Sequence, residues 1–336
     1  MNQTWQKYLL DHHAVIENDS VINFGNAAAE LEHTQSATVV VDLSQLGVIR
    51  FSGEDAQTFL QGQLTCDVNQ VNDQLAQVGS YCTPKGRVLT SFHLWKDRDD
   101  YLMQLPLELC ASIQKRLTMF VMRAKVKLID ESHSLIRIGL AGNGSLALVE
   151  ALKNDSSIVS VINYSNDRFE LITTAEYAPT LWSQLVESAK PVGTSCWDWL
   201  AVRSGVPVVL PVTQDQFIPQ MLNLDRLGGV SFKKGCYPGQ EIVARTHYLG
   251  KIKRRMYLAN ILATTVAVGD ELFSADMAEQ SCGKIVNAAP SPNGGVDVLA
   301  VIQVSSAEAQ DVFWKQLDGS KLVIIQQPDT LTPIES

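Results

Sequence analysis

The chain has 336 residues and a net charge of −9 at pH 7, with 46% hydrophobic and 19% charged residues. This length exceeds one ordinary hydrophobic core and predicts two or three domains, and the composition excludes a long disordered region. No apolar run approaches the ~20 residues that a membrane-spanning helix needs, and residues 1–13 lack the basic start and apolar centre of a secretion signal. We therefore expect a cytoplasmic protein with no membrane partner.

The first 130 residues are predicted to form a mixed α+β region. Alternating and helically spaced apolar residues give its strands and its clearest helices. The predicted strands are Thr38–Leu43, Val48–Phe51, Val88–Trp95 and Tyr101–Leu105, and the predicted helices are Glu54–Gln63 and Leu107–Met119.

The next segment is predicted to form a β-α-β-β-α unit of the ferredoxin-like kind. Its elements are Ser134–Leu140, Ser145–Lys153, Ile158–Tyr164, Phe169–Thr173 and Ala175–Ala189, in that order. A helix over Trp197–Ser204 follows, and then a segment rich in turn residues. Such a loop-rich segment between ordered units is a common place for a functional site.

Beyond residue 255 the pattern changes to short strands separated by Gly, Pro and Asn, which predicts a small barrel or sandwich. The predicted strands are Met256–Ile261, Gly283–Val286, Val296–Ile302 and Lys321–Ile325.

Cysteine and histidine spacing gives no indication of a metal site. The six cysteines and six histidines are scattered, with no C-x-x-C pair and no H-E-x-x-H arrangement. Neither a disulfide framework nor a bound metal is predicted.

The basic residues are concentrated in two segments of this acidic chain. Residues 231–255 carry seven basic residues against one acid, and residues 110–128 carry five basic residues and no acid. If the fold brings the segments together, they form an anion-binding face. The alternative is that each is a solvated surface. The residues we assign to that face are Lys233, Lys234, Arg123 and Lys125.

The segment 233–241 has features that favour a reactive cysteine. Pro238-Gly239 predicts a turn, and Gln240 begins a helix that reaches about His247. Cys236 would then lie beside a helix N-terminus and two lysines, which favour the thiolate. The alternative is that Cys236 is a small buried residue in an ordinary loop.

The order Lys-Gly-Cys-Tyr-x-Gly-Gln-Glu over residues 234–241 resembles the signature of the YgfZ family. Similar stretches extend the resemblance over nearly the whole chain, at residues 53–65, 85–87, 123–126, 216–224 and 228–233. The resemblance implies an α+β, three-domain ring related to the aminomethyltransferase of glycine cleavage. Residues 1–130 and 190–250 would form the folate-binding domain, 131–189 the ferredoxin-like domain, and 251–336 a C-terminal small β-barrel.

The same resemblance implies a function. The family binds tetrahydrofolate or a derivative in a central channel and supports the modification of some tRNAs and the activity of iron–sulfur enzymes. The implied partners are folate, iron–sulfur tRNA-modifying enzymes and tRNA itself. Cys236 corresponds to the signature cysteine and is our candidate catalytic residue. The residues that follow Cys236 supply further candidate cofactor-binding residues, namely Tyr237, Gln240, Glu241 and Arg245. Glu241 and Arg245 are four positions apart and can form an ion pair on one helix.

Two further residues are assigned to the folate site. Trp197 matches a tryptophan that lines the site in the family, where an indole can stack on a flat pterin. The alternative is a core aromatic, because Trp199 stands two positions away. A second folate-lining tryptophan of the family falls on Leu46, which is a departure from the family pattern.

A further departure concerns the chemistry. The related aminomethyltransferases have an acidic pair shortly after a glycine pair, whereas Gly86 is followed here by Thr90 and Ser91. Hydroxyls cannot supply that negative charge, so we expect an accessory protein rather than a standard aminomethyltransferase. The alternatives are a tetrahydrofolate-dependent one-carbon transferase or demethylase, and a tRNA-binding module.

Overall fold

A computed structural model describes residues 1–73, 75–277 and 280–327. Its α-helices are α1 (Gln3–Asp11), α2 (Ala27–Ser36), α3 (Ala56–Gln61), α4 (Leu107–Thr118), α5 (Ser145–Ala151), α6 (Ala178–Leu185), α7 (Thr194–Arg203), α8 (Gln240–Leu249) and α9 (Val304–Glu308). Its strands are β1 (Val15–Glu17), β2 (Ser20–Asn23), β3 (Val39–Asp42), β4 (Leu46–Ser52), β5 (Gln77–Cys82), β6 (Val88–Asp97), β7 (Asp100–Pro106), β8 (Lys127–Asp130), β9 (Leu135–Ala141), β10 (Ile158–Ser165), β11 (Arg168–Thr174), β12 (Lys190–Val192), β13 (Arg254–Ile261), β14 (Glu271–Phe273), β15 (Gly283–Pro290), β16 (Val296–Gln303), β17 (Phe313–Trp314) and β18 (Leu322–Gln326).

The first large sheet is antiparallel and has the strand order β5-β6-β7-β4-β8. Helices α3 and α4 bury their apolar side chains against it, in a core that includes Leu60, Met103 and Ile113. The β5–β6 hairpin forms one edge of this sheet, and its turn spans residues 83–87. The strands of this hairpin line the cavity described below, and its turn contacts the loop that carries Cys236.

The second sheet has the order β10-β11-β9-β3-β12 and contains the predicted ferredoxin-like unit. Strand β3, from the N-terminal region, lies antiparallel to β9 and parallel to β12. Val40 packs on one face of the sheet, while Val39 and Val41 pack on the other. Because β3 is covered on both faces, its residues 39–41 are a continuous run of apolar residues rather than an alternation of apolar and polar ones. Residues 131–189 therefore share their sheet with 39–42 and 190–192, and the three-domain division of the chain remains a prediction.

The third sheet has the order β17-β14-β15-β16-β13-β18 and curls into a small barrel. A bridge between Phe313 and Lys321 joins its two edges, with hydrogen bonds from Trp314 N to Ser320 O (2.9 Å) and from Leu322 N to Val312 O (2.9 Å). This closure confirms the predicted C-terminal barrel. Residues 278–279 and 328–336 of that predicted domain lie outside the described residues.

Each predicted strand and helix is present in the structure. The elements that the sequence did not predict are mostly short or lie near the N-terminus, among them α1, α2 and β12. Helix α1 is held by tertiary contacts, because the buried Trp5 donates from its indole nitrogen to Asp42 Oδ1 at 2.6 Å. No helix among the described residues is long and apolar enough to cross a membrane.

Candidate functional site

A cavity of about 220 Å³ lies where the three large sheets meet helix α7. Each sheet contributes to its wall: Gln104 comes from β7, Tyr164 from β10, and Asn287 from β15. Trp197 and Leu46 both line this cavity. The structure thus brings together the two residues that the family resemblance assigned to a folate site from distant parts of the chain.

Trp197 is a buried residue that also borders the cavity. A Cβ atom at Gly139 would lie 2.7 Å from the indole, so only glycine leaves room for this ring. The Tyr164 ring meets the indole edge-on at 5.8 Å between centroids, and the guanidinium carbon of Arg168 lies 5.4 Å from the indole centroid. The two alternatives for Trp197 therefore do not exclude each other, because it is both a core aromatic and a wall of the cavity.

Polar side chains form a network behind the cavity. The Tyr164 hydroxyl donates to Glu170 Oε2 at 2.7 Å, and Gln104 Nε2 donates to the same oxygen at 3.0 Å. Burial raises the pKa of Glu170. Gln104 Oε1 is buried and has no hydrogen-bond partner in the described part of the chain. An unsatisfied buried acceptor next to a cavity is the feature that a ligand N–H group would satisfy.

His93 lines the same cavity and is neutral. Burial, together with the charge of Arg168, lowers its pKa to about 4. Its Nε2 atom is buried and lacks a hydrogen-bond partner among the described residues.

The segment that carries hydroxyls in place of an acidic pair also reaches the cavity. Ser91 lines it, and the Ser91 hydroxyl donates to Pro207 O at 2.8 Å and accepts from Val209 N at 3.0 Å. Thr90 is fully buried, and its hydroxyl donates to Ser91 O at 2.9 Å. Both hydroxyls are therefore engaged with backbone groups and contribute no charge to the site.

The signature loop, residues 233–241, is anchored outside the cavity. Lys234 Nζ donates to Leu64 O at 2.7 Å and to Cys66 O at 2.8 Å, and it lies 5.4 Å from the Tyr237 ring centroid. Burial lowers the pKa of Lys234 to about 8. This ammonium group therefore faces backbone carbonyls, and it holds the loop against the segment that follows α3.

The end of the loop is fixed by a glycine. Gly239 has φ 84°, and a Cβ atom there would lie 2.5 Å from Thr83 O and 2.6 Å from Gly86. The loop thus packs directly on the turn of the β5–β6 hairpin. Tyr237 is buried beneath it, while Cys236 is exposed. The other five cysteines are buried, and burial raises the pKa of Cys66 and Cys82 to about 12.

The remaining predicted residues lie on the surface. Gln240 Nε2 points back to the loop, at 3.4 Å from Lys234 O and from Gly235 O. Glu241 and Arg245 are exposed and do not form an ion pair with each other in the described structure. Lys125 pairs with Glu54, whereas Arg123 and Lys233 are exposed. A joint anion-binding face remains a prediction.

Two separate sites result from this placement. Trp197 and Leu46 line the cavity, whereas Cys236, Tyr237, Gln240, Glu241 and Arg245 are not among its lining residues. The described residues hold no cluster of three or more His, Cys, Asp or Glu side chains that could bind a metal.

Sequence reasoning missed the polar residues of the cavity, including Asp198. Asp198 follows Trp197 on α7, and its raised pKa of about 7 results from desolvation. The sequence feature that could have indicated Asp198 is its position between two tryptophans, Trp197 and Trp199.

Comparisons with known proteins agree with this fold. A family model, the GCVT N-terminal domain, matches residues 17–165. The structure of the glycine cleavage system aminomethyltransferase T from Bartonella henselae superimposes with a TM-score of 0.76 at 13% identity, covering 100% of this chain and 99% of that one. The protein therefore has the aminomethyltransferase fold, as predicted.

One protein of known name is similar in sequence over most of the chain. The tRNA-modifying protein YgfZ from Colwellia psychrerythraea is 29% identical over 279 residues, which cover 79% of this chain and 85% of the relative. Together with the shared fold, this similarity confirms the resemblance to the YgfZ family noted in the sequence.

Proposed function

We propose that this protein is a folate-binding accessory factor in tRNA modification. The observation that carries the proposal is the cavity at the junction of the three sheets, in which Trp197 provides an aromatic wall and Gln104 an unpartnered acceptor. A flat heterocycle with N–H donors fits such a wall, because it can pack on the indole and bond to the acceptor.

The size of the cavity supports this assignment. Sites that enclose a drug-sized ligand measure roughly 300–1,000 Å³. About 220 Å³ is enough for the bicyclic ring of tetrahydrofolate or a derivative but not for its glutamate tail, which would extend outward. The substitution of leucine for tryptophan at position 46 leaves the wall apolar.

We further propose that Cys236 acts on a partner rather than on the bound folate. It is exposed, unlike the other five cysteines, and its loop lies outside the cavity. An accessible thiol separated from the ligand site suits contact with an iron–sulfur tRNA-modifying enzyme. The family resemblance points to this partner class, and the name of the Colwellia relative points to tRNA modification.

Calorimetric titration of tetrahydrofolate, under anaerobic conditions, tests the ligand site. We expect saturable binding to the wild type that is lost with Trp197→Ala and retained with Cys236→Ala. Trp199→Phe is the matched control, because Trp199 lies on the same helix but donates to Asp297 Oδ2 at 2.9 Å, away from the cavity. Absence of binding to the wild type would contradict the folate assignment.

The accessory role is tested separately in cells lacking the protein. Complementation with the wild type should restore methylthio-modified tRNA nucleosides, measured by mass spectrometry, and Cys236→Ala should fail although it still binds folate. Substrate-dependent formation of methylene-tetrahydrofolate from candidate methylamines by the purified protein would instead favour the one-carbon transferase or demethylase.

Direct tRNA binding is a second candidate, favoured by the surface around the end of α8. The Phe232 and His247 rings stack at 3.8 Å, and the side chain of Tyr248 is 66% exposed. Exposed aromatic rings among basic residues are typical of surfaces that bind single-stranded nucleic acid. Binding through phosphates should weaken steeply between 50 and 200 mM salt. An affinity for tRNA that is unchanged over this range would exclude the candidate.

A further inference from the structure

In the segment that corresponds to the acidic pair of the aminomethyltransferases, the cavity wall has a hydroxyl group instead of a carboxylate. In the segment 86–91, the two candidate positions are Thr90 and Ser91, and both hydroxyls are bonded to backbone groups. If the site requires a negative charge, another element has to supply it.

Helix α7 does so. Its residues 197, 198, 201 and 202 all line the cavity and therefore share one face of the helix. Asp198 is exposed, whereas Trp197 and Trp199 on either side of it are buried. The exposed side chain of Asp198 therefore borders the cavity.

The Asp198 carboxylate has no partner among the residues that the structure describes. Within residues 1–73, 75–277 and 280–327, no hydrogen bond or ion pair reaches it, and desolvation is the one cause of its raised pKa. A carboxylate that faces a mostly apolar cavity without a bonded protein donor loses part of its hydration, which raises the free energy of its charged form. Such an arrangement is typical of a functional site, in which the ligand provides the missing donors.

The other polar groups of the wall indicate what kind of ligand edge would fit. In the described part of the chain, Gln104 Oε1 is a buried acceptor without a donor, Arg168 Nε is a buried donor without an acceptor, and Gln45 has one unpaired atom of each kind. Asp198 adds two more acceptor atoms. Trp197, next to Asp198 in the chain, supplies the flat apolar surface. The cavity therefore suits an aromatic heterocycle whose edge carries ring N–H and exocyclic amino donors together with a carbonyl acceptor, as in the aminopyrimidinone edge of a pterin.

We infer that Asp198, on α7, is the residue that binds and orients the aminopyrimidinone edge of the ligand. This inference rests on the proposed folate function and adds to it a specific positioning residue. In the free protein, the Asp198 carboxylate takes up a proton as the pH falls through about 7, whereas the bound ligand favours the ionised form. Binding below this pH should therefore release a proton.

The other charged or titratable side chains that line the cavity are His93 on β6, Glu108 on α4, Tyr164 on β10 and Arg168 on β11. His93, with a pKa of about 4, and Tyr164, whose pKa lies well above its ordinary value, do not change charge between pH 5.5 and 8. Arg168 remains cationic over this range.

The experiment is calorimetric titration of tetrahydrofolate at pH 5.5 and pH 8, in buffers of different ionisation enthalpy. Wild-type affinity should rise with pH, and binding at pH 5.5 should release up to one proton. Asp198→Asn should bind roughly 10- to 100-fold more weakly at pH 8, the range expected for loss of a charge-assisted hydrogen bond, and should lose the proton release. Asp11→Asn, which makes the same change on an exposed residue at the end of α1, should match the wild type.

A ligand variant provides a test that does not depend on the folding of a mutant. A folate analogue without the 2-amino group should lose at least tenfold in affinity for the wild type and much less for Asp198→Asn. If the wild type binds tetrahydrofolate but Asp198→Asn shows the same affinity and proton release, the role of Asp198 is wrong while the folate function stands. If the wild type does not bind, the folate function itself is wrong and the inference fails with it.

Discussion

Replacing Gly239 with alanine should detach the signature loop from the β5–β6 hairpin. The backbone at this position is left-handed, with φ 84°, which costs a non-glycine residue about 1–3 kcal/mol. The added methyl group would also lie 2.5 Å from Thr83 O, and accommodating it by moving backbone costs typically 1–3 kcal/mol more. We therefore expect Gly239→Ala to lower the free energy of unfolding by about 2–6 kcal/mol.

Gly235→Ala is the matched control in the same loop. A Cβ atom at Gly235 would meet no other atom within 4 Å, and no positive φ is found there. Its effect should lie between no change and a gain of about 1 kcal/mol, because alanine reduces the conformational freedom of the unfolded chain. Urea denaturation of the two variants and the wild type, followed by circular dichroism, measures the difference. Equal effects of the two substitutions would refute the reasoning that the hairpin turn fixes the loop.

Two further predictions concern charged groups. Asp198 has a native pKa of about 7, above its ordinary value of 3.8, so its desolvation destabilises the ligand-free protein fully above pH 7 and not below about pH 4. Asp198→Asn should therefore raise the midpoint of urea unfolding at pH 8 and have little effect at pH 4.5; an equal gain at both pH values would contradict this. Arg255 forms two hydrogen bonds to the largely buried Asp225, at 2.7 and 2.9 Å. Removing one partner by Arg255→Met should lower the free energy of unfolding by about 3–5 kcal/mol, and adding Asp225→Asn should recover part of the loss in thermal unfolding.

The sequence predicts those parts of the fold that have a clear local pattern. Strand β16 and helix α4 follow from their own periodicity, and the barrel follows from short strands between turn residues. The strand pairing of β3 is not predictable in this way. Val39, Val40 and Val41 are equally apolar, so their sequence does not indicate that β9 and β12 are the adjacent strands. Pairing between distant strands depends on the whole assembled core rather than on local preference.

The sequence likewise predicts only part of the candidate site. The order of residues 234–241 predicted the signature loop and carried the resemblance to the YgfZ family, and the assignment of Trp197 and Leu46 followed from that resemblance. Only the tertiary structure showed that Trp197 and Leu46 line one cavity from which Cys236 is absent. Asp198 could not be recognised from its position in the chain, because its significance depends on its place in the cavity wall and on the desolvation caused by the atoms around it. Both are properties of the packed surroundings, since desolvation arises from atoms contributed by elements far apart in the sequence.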